Sequence, residues 1–137
     1  MLDTRRDNGM DNQTRGPGPP TVFIVDDDAA VLNALGFALE MEGFRVRTFQ
    51  SAAAAFGAKG IDLADCLVID QNLADEFGID LLDRLRARGS RAPAVMITTH
   101  PGRDLQLRAA ALCVPVVEKP LLDDQLFACI RALAGRV

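Results

Sequence analysis

Short, continuously apolar runs alternate along this chain with segments of helical period, and that alternation leaves few folds open. Residues 22–25, 66–69, 94–97 and 114–117 are apolar throughout, as strands are when a sheet is covered on both faces. Residues 44–49 alternate instead, the pattern of a strand with one wetter face. Between these runs, Val31, Leu32, Leu35, Ala38 and Leu39 form a helical stripe that Asp28 can cap and Gly43 can stop. Ser51 opens an alanine-rich helix ending near Gly57, and residues 78–88 turn Ile79, Leu81, Leu82 and Leu85 to one side. Residues 103–111 and 123–134 complete the helical set. Strands joined through helices run parallel, with right-handed crossovers. The alternating second strand and the fifth, which carries Pro115, belong at the edges, because proline has no N–H for a central ladder. The expectation is an α/β fold: a five-stranded parallel doubly wound sheet in flavodoxin-like order 2-1-3-4-5.

A chain of 137 residues has room for one domain. Residues 1–20 hold Asp, Asn, Arg, Gly and Pro with almost no apolar content, and read as a disordered leader. The domain proper is expected over 21–137. A formal charge of −4, with neither Tyr nor Trp, argues against direct contact with nucleic acid. Cys66, Cys113 and Cys129 form no CxxC pair, and read as reduced core thiols of a cytoplasmic protein. The N-terminus lacks the apolar stretch of a secretory signal, and no run is long enough to span a bilayer, so no membrane association is expected.

The apolar runs end in a particular set of polar residues. Asp26, Asp27 and Asp28 follow the first expected strand, Asp70 the third, Thr98 and Thr99 the fourth, and Glu118-Lys119-Pro120 the fifth. In an open parallel sheet, ligands bind outside the carboxyl ends of the strands. There the chain gathers acids, a hydroxyl and an ammonium, a set that suits Mg²⁺ and a phosphoryl group. Each residue also has a plainer role available: aspartates cap helices, as Asp28 is expected to, and Thr or Lys occupy turns. Asp70 has none, since it follows an apolar strand where nothing nearby needs a cap. Three carboxylates converging would raise one another's pKa, and a divalent cation would relieve that repulsion.

Taken in order and spacing, these residues resemble the receiver domain of two-component response regulators, closest to its FixJ-like subgroup. The resemblance rests on Asp26-Asp27, Asp70, Thr98 and Lys119-Pro120, with Leu73 and Gly78 at matching distance from Asp70. It implies that Asp70 accepts a phosphoryl group and that Asp26, Asp27, Asp70 and the backbone carbonyl of Asn72 hold Mg²⁺. It implies that Lys119 and Thr98 contact the phosphoryl oxygens, and that the Lys119-Pro120 bond is cis. The implied phosphodonor is a histidine kinase or phosphotransfer protein. The implied output is a protein–protein contact through the helix from Arg103, the strand around Val116 and the helix from Asp123. Leu105, Leu107, Val116, Leu126 and Phe127 are its apolar candidates. The chain is then a stand-alone phosphoacceptor rather than an enzyme acting on a separate substrate, as no residues after Val137 supply an output domain.

Departures from the family pattern carry their own expectations. Ala74 stands where proline is common, so residues 71–77 should be less constrained, with Asp75 and Glu76 adding negative charge. Val116 stands at the switch position where an aromatic ring is usual. Leu112 replaces a common glycine, so the helix before it should end differently. Asn72 and His100, each two residues beyond a site residue, are expected near the phosphoryl pocket as modulators of its lifetime. Two other readings share some of these residues. A small phosphatase of the haloacid dehalogenase type would use Asp26 of Asp26-Asp27-Asp28 as nucleophile, and a degenerate receiver would bind partners without phosphorylation.

Overall fold

The computed structural model describes residues 18–121 and 124–135. The leader reading therefore lies almost wholly outside the described residues, as do Asp123 and Val137. Five strands form one parallel sheet: β1 Thr21–Val25, β2 Arg45–Phe49, β3 Cys66–Asp70, β4 Ala94–Thr98 and β5 Val116–Glu118. Their order is β2-β1-β3-β4-β5, as the alternation requires. The helices are α1 Ala29–Met41, α2 Ala52–Phe56, α3 Gly78–Ala87, α4 Arg103–Ala111 and α5 Gln125–Ala134, with a 3₁₀ turn at Ile61–Leu63.

Alternation along each central strand divides the interior into two apolar layers. Val22, Ile24, Val68, Val95 and Ile97 pack against Leu32, Leu35 and Leu39 of α1 and Leu126 and Ile130 of α5. Phe23, Leu67, Ile69 and Met96 face the other way, onto Ile79, Leu82 and Leu85 of α3 and Leu105 and Ala109 of α4. Burial on both faces is why β1, β3 and β4 read as unbroken apolar runs. Leu105 and Leu126 thus belong to the core, at 5% and 2% exposure, and only Leu107 of the proposed output set stands well exposed. Cys113 is exposed and Cys129 only half-buried, so of the three thiols Cys66 alone is a core thiol. Burial pushes the Cys66 thiol up to about 12, which leaves it unreactive at neutral pH.

Strand bounds shift where helix ends claim the backbone. Phe44 gives its N–H to Leu39 at the end of α1, so β2 begins one residue later than its apolar pattern. Val114 gives its N–H to Ala109 and Pro115 has none, so β5 starts at Val116 rather than at residue 114. Asp28 caps α1 as expected, accepting from the N–H groups of Ala30 and Val31.

Helices α1, α3 and α4 close alike, with a left-handed residue followed by one whose N–H returns five residues back. Gly43 and Gly89 take that conformation in the first two, at φ 101° and 102°. After α4, Leu112 stays right-handed at φ −92° and the left-handed place falls on Cys113, at φ 60°. A side chain there costs about 1 kcal/mol. Cys113→Gly is accordingly expected to raise stability by about 1 kcal/mol, read as a Tm increase of a few degrees. An unchanged or lower Tm would show that the turn carries no such strain.

Candidate functional site

Register alone brings the strand ends together. Val25 lies beside Ile69, Asp70 beside Ile97, and Thr98 beside Glu118. Asp26, Asp70, Thr98 and Lys119 therefore occupy neighbouring rows at one edge of the sheet. Backbone bonds beyond the ladder fix that edge: Asp26 N–H donates to Phe49, Gln71 N–H to Ile97 and Lys119 N–H to Thr98. The Lys119-Pro120 bond is cis, as the resemblance implied.

Carboxylate oxygens of Asp26, Asp27 and Asp70 lie within 4.8 Å of one another. Asp26 and Asp70 are buried, at 0% and 5% exposure, while Asp27 is open to solvent. Lys119 reaches into the group, its Nζ 3.1 Å from Asp26 Oδ2 and 3.4 Å from Asp70 Oδ1. Asp26 also accepts the N–H of Asp28 at 2.9 Å. Burial, and then the charge of Asp26, push the Asp70 carboxyl above the usual carboxylate range, against the opposing pull of Lys119 and the N–H of Asn72. Burial acts to lower the Lys119 ammonium, but its hydrogen bond to Asp26 and the two carboxylate charges outweigh that and hold it above its usual range.

Three carboxylates and one ammonium leave two negative charges uncompensated when all are ionised. Hard oxygen ligands, a charge of that size and partial burial fit a divalent cation such as Mg²⁺, which keeps several of its waters and needs few carboxylates. The raised Asp70 carboxyl reflects burial first and the neighbouring Asp26 charge second, and a cation would offset both.

Thr98 is fully buried and its hydroxyl is engaged locally, accepting the His100 N–H at 3.2 Å. The side chains of His100 and Asn72 both stand in solvent. Asn72 bears on the site through its backbone, whose N–H pulls the Asp70 carboxyl downward. Val116 is half-buried and lines a groove of about 410 Å³ with Pro101, Gln106, Ala109 and Gln125.

Residues 71–77 are far better fastened than Ala74 suggested. Gln71 Oε1 accepts the N–H of Ile79 at 2.9 Å, serving α3 in place of Phe77, which sits at the cap position without an acceptor. Asp75 accepts from Ala52 and Ala53 at 3.0 Å each, across the start of α2. Glu76 pairs with Arg84. The acids that read as added repulsion are therefore engaged as acceptors. Nothing local in the sequence joins Asp75 to a helix 23 residues upstream; the one available signal was that Asp is a capping residue type.

The fold, the acid cluster and Lys119 agree with what the comparisons return. Residues 22–131 match the response regulator receiver domain. The chain belongs to that family. The transcriptional regulatory protein FixJ of Azorhizobium caulinodans is 37% identical to it over 117 residues, covering 84% of this chain and 55% of that protein. The response regulator protein TmoT of Ectopseudomonas mendocina is 32% identical over 111 residues, covering 80% of this chain and 50% of that one. This receiver therefore spans about half the length of the curated relatives it matches. Among solved structures, the non-phosphorylated HemR receiver domain of Leptospira biflexa superposes with a TM-score of 0.78 at 22% identity, covering 86% of this chain and 96% of that one. The response regulator StyR gives 0.76 at 30% identity, covering 86% and 60%. Among the described residues no helix is long and apolar enough to cross a membrane.

Proposed function

We propose that this receiver takes a phosphoryl group onto Asp70 from a histidine kinase or phosphotransfer protein and signals through protein contacts. The observation that carries the reading is the buried Asp70 carboxylate, paired with Lys119 beside Asp26 and Asp27. A carboxylate is a weak nucleophile, so fixed geometry and charge compensation must supply the rate. An Asp70 oxygen attacks phosphorus, the bond from phosphorus to the donor breaks, and its electron pair leaves with the donor. The product is an acyl phosphate. Lys119, already between Asp26 and Asp70, supplies positive charge where the phosphoryl oxygens arrive. Thr98 must turn its O–H away from the His100 carbonyl, 3.5 Å away, before it can donate to one of them. Mg²⁺, held by Asp26, Asp27, Asp70 and the Asn72 carbonyl, would neutralise charge on the transferring group. Changes at the exposed side chains of Asn72 and His100 are expected to tune the adduct's lifetime. Such a protein modifies only itself and is not an enzyme toward a separate substrate; its setting would be the cytoplasm.

We infer that a protein phosphodonor docks on α1. Ala30, Ala34, Phe37 and Met41 are all exposed and recur at helical spacing, on a helix that starts directly after Asp26-Asp27-Asp28. Phe37 and Met41 keep 67% and 72% of their surface in solvent. A protein donor docked on α1 would cover this stripe, whereas a small donor would not. Phe37→Ala is expected to slow phosphotransfer from the cognate kinase by about tenfold, the loss of one well-packed aromatic, while uptake from acetyl phosphate stays unchanged. Equal slowing with both donors would assign Phe37 to folding rather than docking. The proposal as a whole is tested by Asp70→Asn, which must form no phosphoryl adduct with either donor.

A further inference from the structure

The segment from Gln71 to Phe77 closes one side of the acidic site, and its side-chain anchors lie on two different helices. Gln71 is fixed by its N–H to Ile97, its carbonyl from Gly78 and its amide oxygen from Ile79. Asn72 and Phe77 pair across the loop as a single antiparallel bridge. At the outer bend, where Ala74 gives no stiffness, Asp75 reaches across to the first two N–H groups of α2 at 3.0 Å each. Those bonds hold its carboxyl below the usual range. Hydrogen bonds to an ionised acceptor are the stronger kind. α2 has a cap of its own in Ser51, whose hydroxyl accepts from Ala54 at 3.1 Å. The two groups at the start of α2 thus serve different neighbours: Ser51 only the helix, Asp75 the helix and the loop that carries Asn72.

We propose that Asp75 is a positioning residue for phosphoryl uptake, setting the place of the Asn72 backbone against Asp70 by fastening the loop to α2. The proposal rests on Asp70 being the phosphoacceptor. Asp75 touches neither phosphoryl group nor cation; it acts through Asn72, which stands two residues from Asp70 and is bridged to Phe77 across the loop. Releasing the bend lets Asn72 drift, and in-line transfer loses rate steeply with small displacements.

The test compares the initial rate of adduct formation with acetyl phosphate and Mg²⁺ in the full chain, its Asp75→Ala and Asp75→Asn variants, and Ser51→Ala. Asp75→Ala is expected to slow uptake about tenfold, with Asp75→Asn, which keeps one acceptor oxygen, in between. Ser51→Ala is expected to lower Tm while leaving the rate of uptake as in wild type. Equal rates in wild type and Asp75→Ala overturn the proposal, as does Ser51→Ala slowing uptake to the same degree, since either would reduce Asp75 to an ordinary helix cap. If Asp75→Ala does not fold, Asp75→Asn against Ser51→Ala decides by the same criterion. Wild type forming no adduct at Asp70 would overturn the receiver chemistry itself, an outcome distinct from equal rates.

Discussion

Gly78→Ala is expected to destabilise the protein by about 3 kcal/mol, while Gly36→Ala stabilises it by about 1 kcal/mol. Both glycines are helical, and helix propensity alone favours alanine at each. Their surroundings differ. A methyl group at Gly78 would stand 2.2 Å from the Asp70 carbonyl oxygen and 2.8 Å from Ile69 Cγ2, so either α3 or the end of β3 must move. At Gly36 the new carbon would meet Val46 Cγ1 at 3.5 Å and Thr48 Cγ2 at 3.9 Å, ordinary packing distances. Chemical denaturation of the two variants checks the pair. Gly78→Ala should also lose phosphoryl uptake, because the displaced backbone is that of Asp70. Two stabilised variants would mean that α3 does not seat on Asp70 as closely as described.

The second large effect is that of Mg²⁺ on stability, together with its dependence on pH. Asp70 holds its proton more tightly in the folded protein than in the unfolded chain, for the burial and Asp26 charge already named. Its contribution to stability is therefore full below the unfolded value of about 3.9 and is lost as pH rises through the raised folded value. A cation at the acid cluster competes with that proton. Mg²⁺ should do little at the acid end of this window and most above it, where at a hundred times its Kd it adds about 3 kcal/mol, or about 10 °C in Tm. Asp27→Ala removes the solvent-facing carboxylate of the cluster and leaves the ion pairs of Lys119 with Asp26 and Asp70 in place, and should weaken the shift several-fold. A melt indifferent to millimolar Mg²⁺ at neutral pH would contradict the assignment of these three carboxylates.

Much of this was readable from residue order. The sheet order followed from unbroken apolar runs at residues 66–69 and 94–97, an alternating run before Phe49 and a proline in the last, since burial and ladder donors leave those strands few positions. The acid cluster followed from what stands directly after each run, because parallel register carries strand ends to one edge. Other features depend on contacts between distant segments. Leu105 and Leu126 looked like surface candidates because helical period does not say which of several apolar residues faces the sheet. Cys113 sat in an apolar stretch, yet the helix end places it in solvent with a left-handed backbone. Asp75 looked like surplus charge until the fold put it on Ala52 and Ala53. Val116 leaves a groove beside α4 that its neighbours in sequence could not reveal.

Phosphoryl chemistry at Asp70 is the central claim, and mapping the modified residue tests it most directly. The protein is incubated with acetyl phosphate and Mg²⁺, any acyl phosphate is reduced with borohydride to leave homoserine at the modified aspartate, and peptides are sequenced by mass spectrometry. Homoserine at position 70, abolished in Asp70→Asn, is the predicted result; homoserine at Asp26, or none at any aspartate, would contradict it.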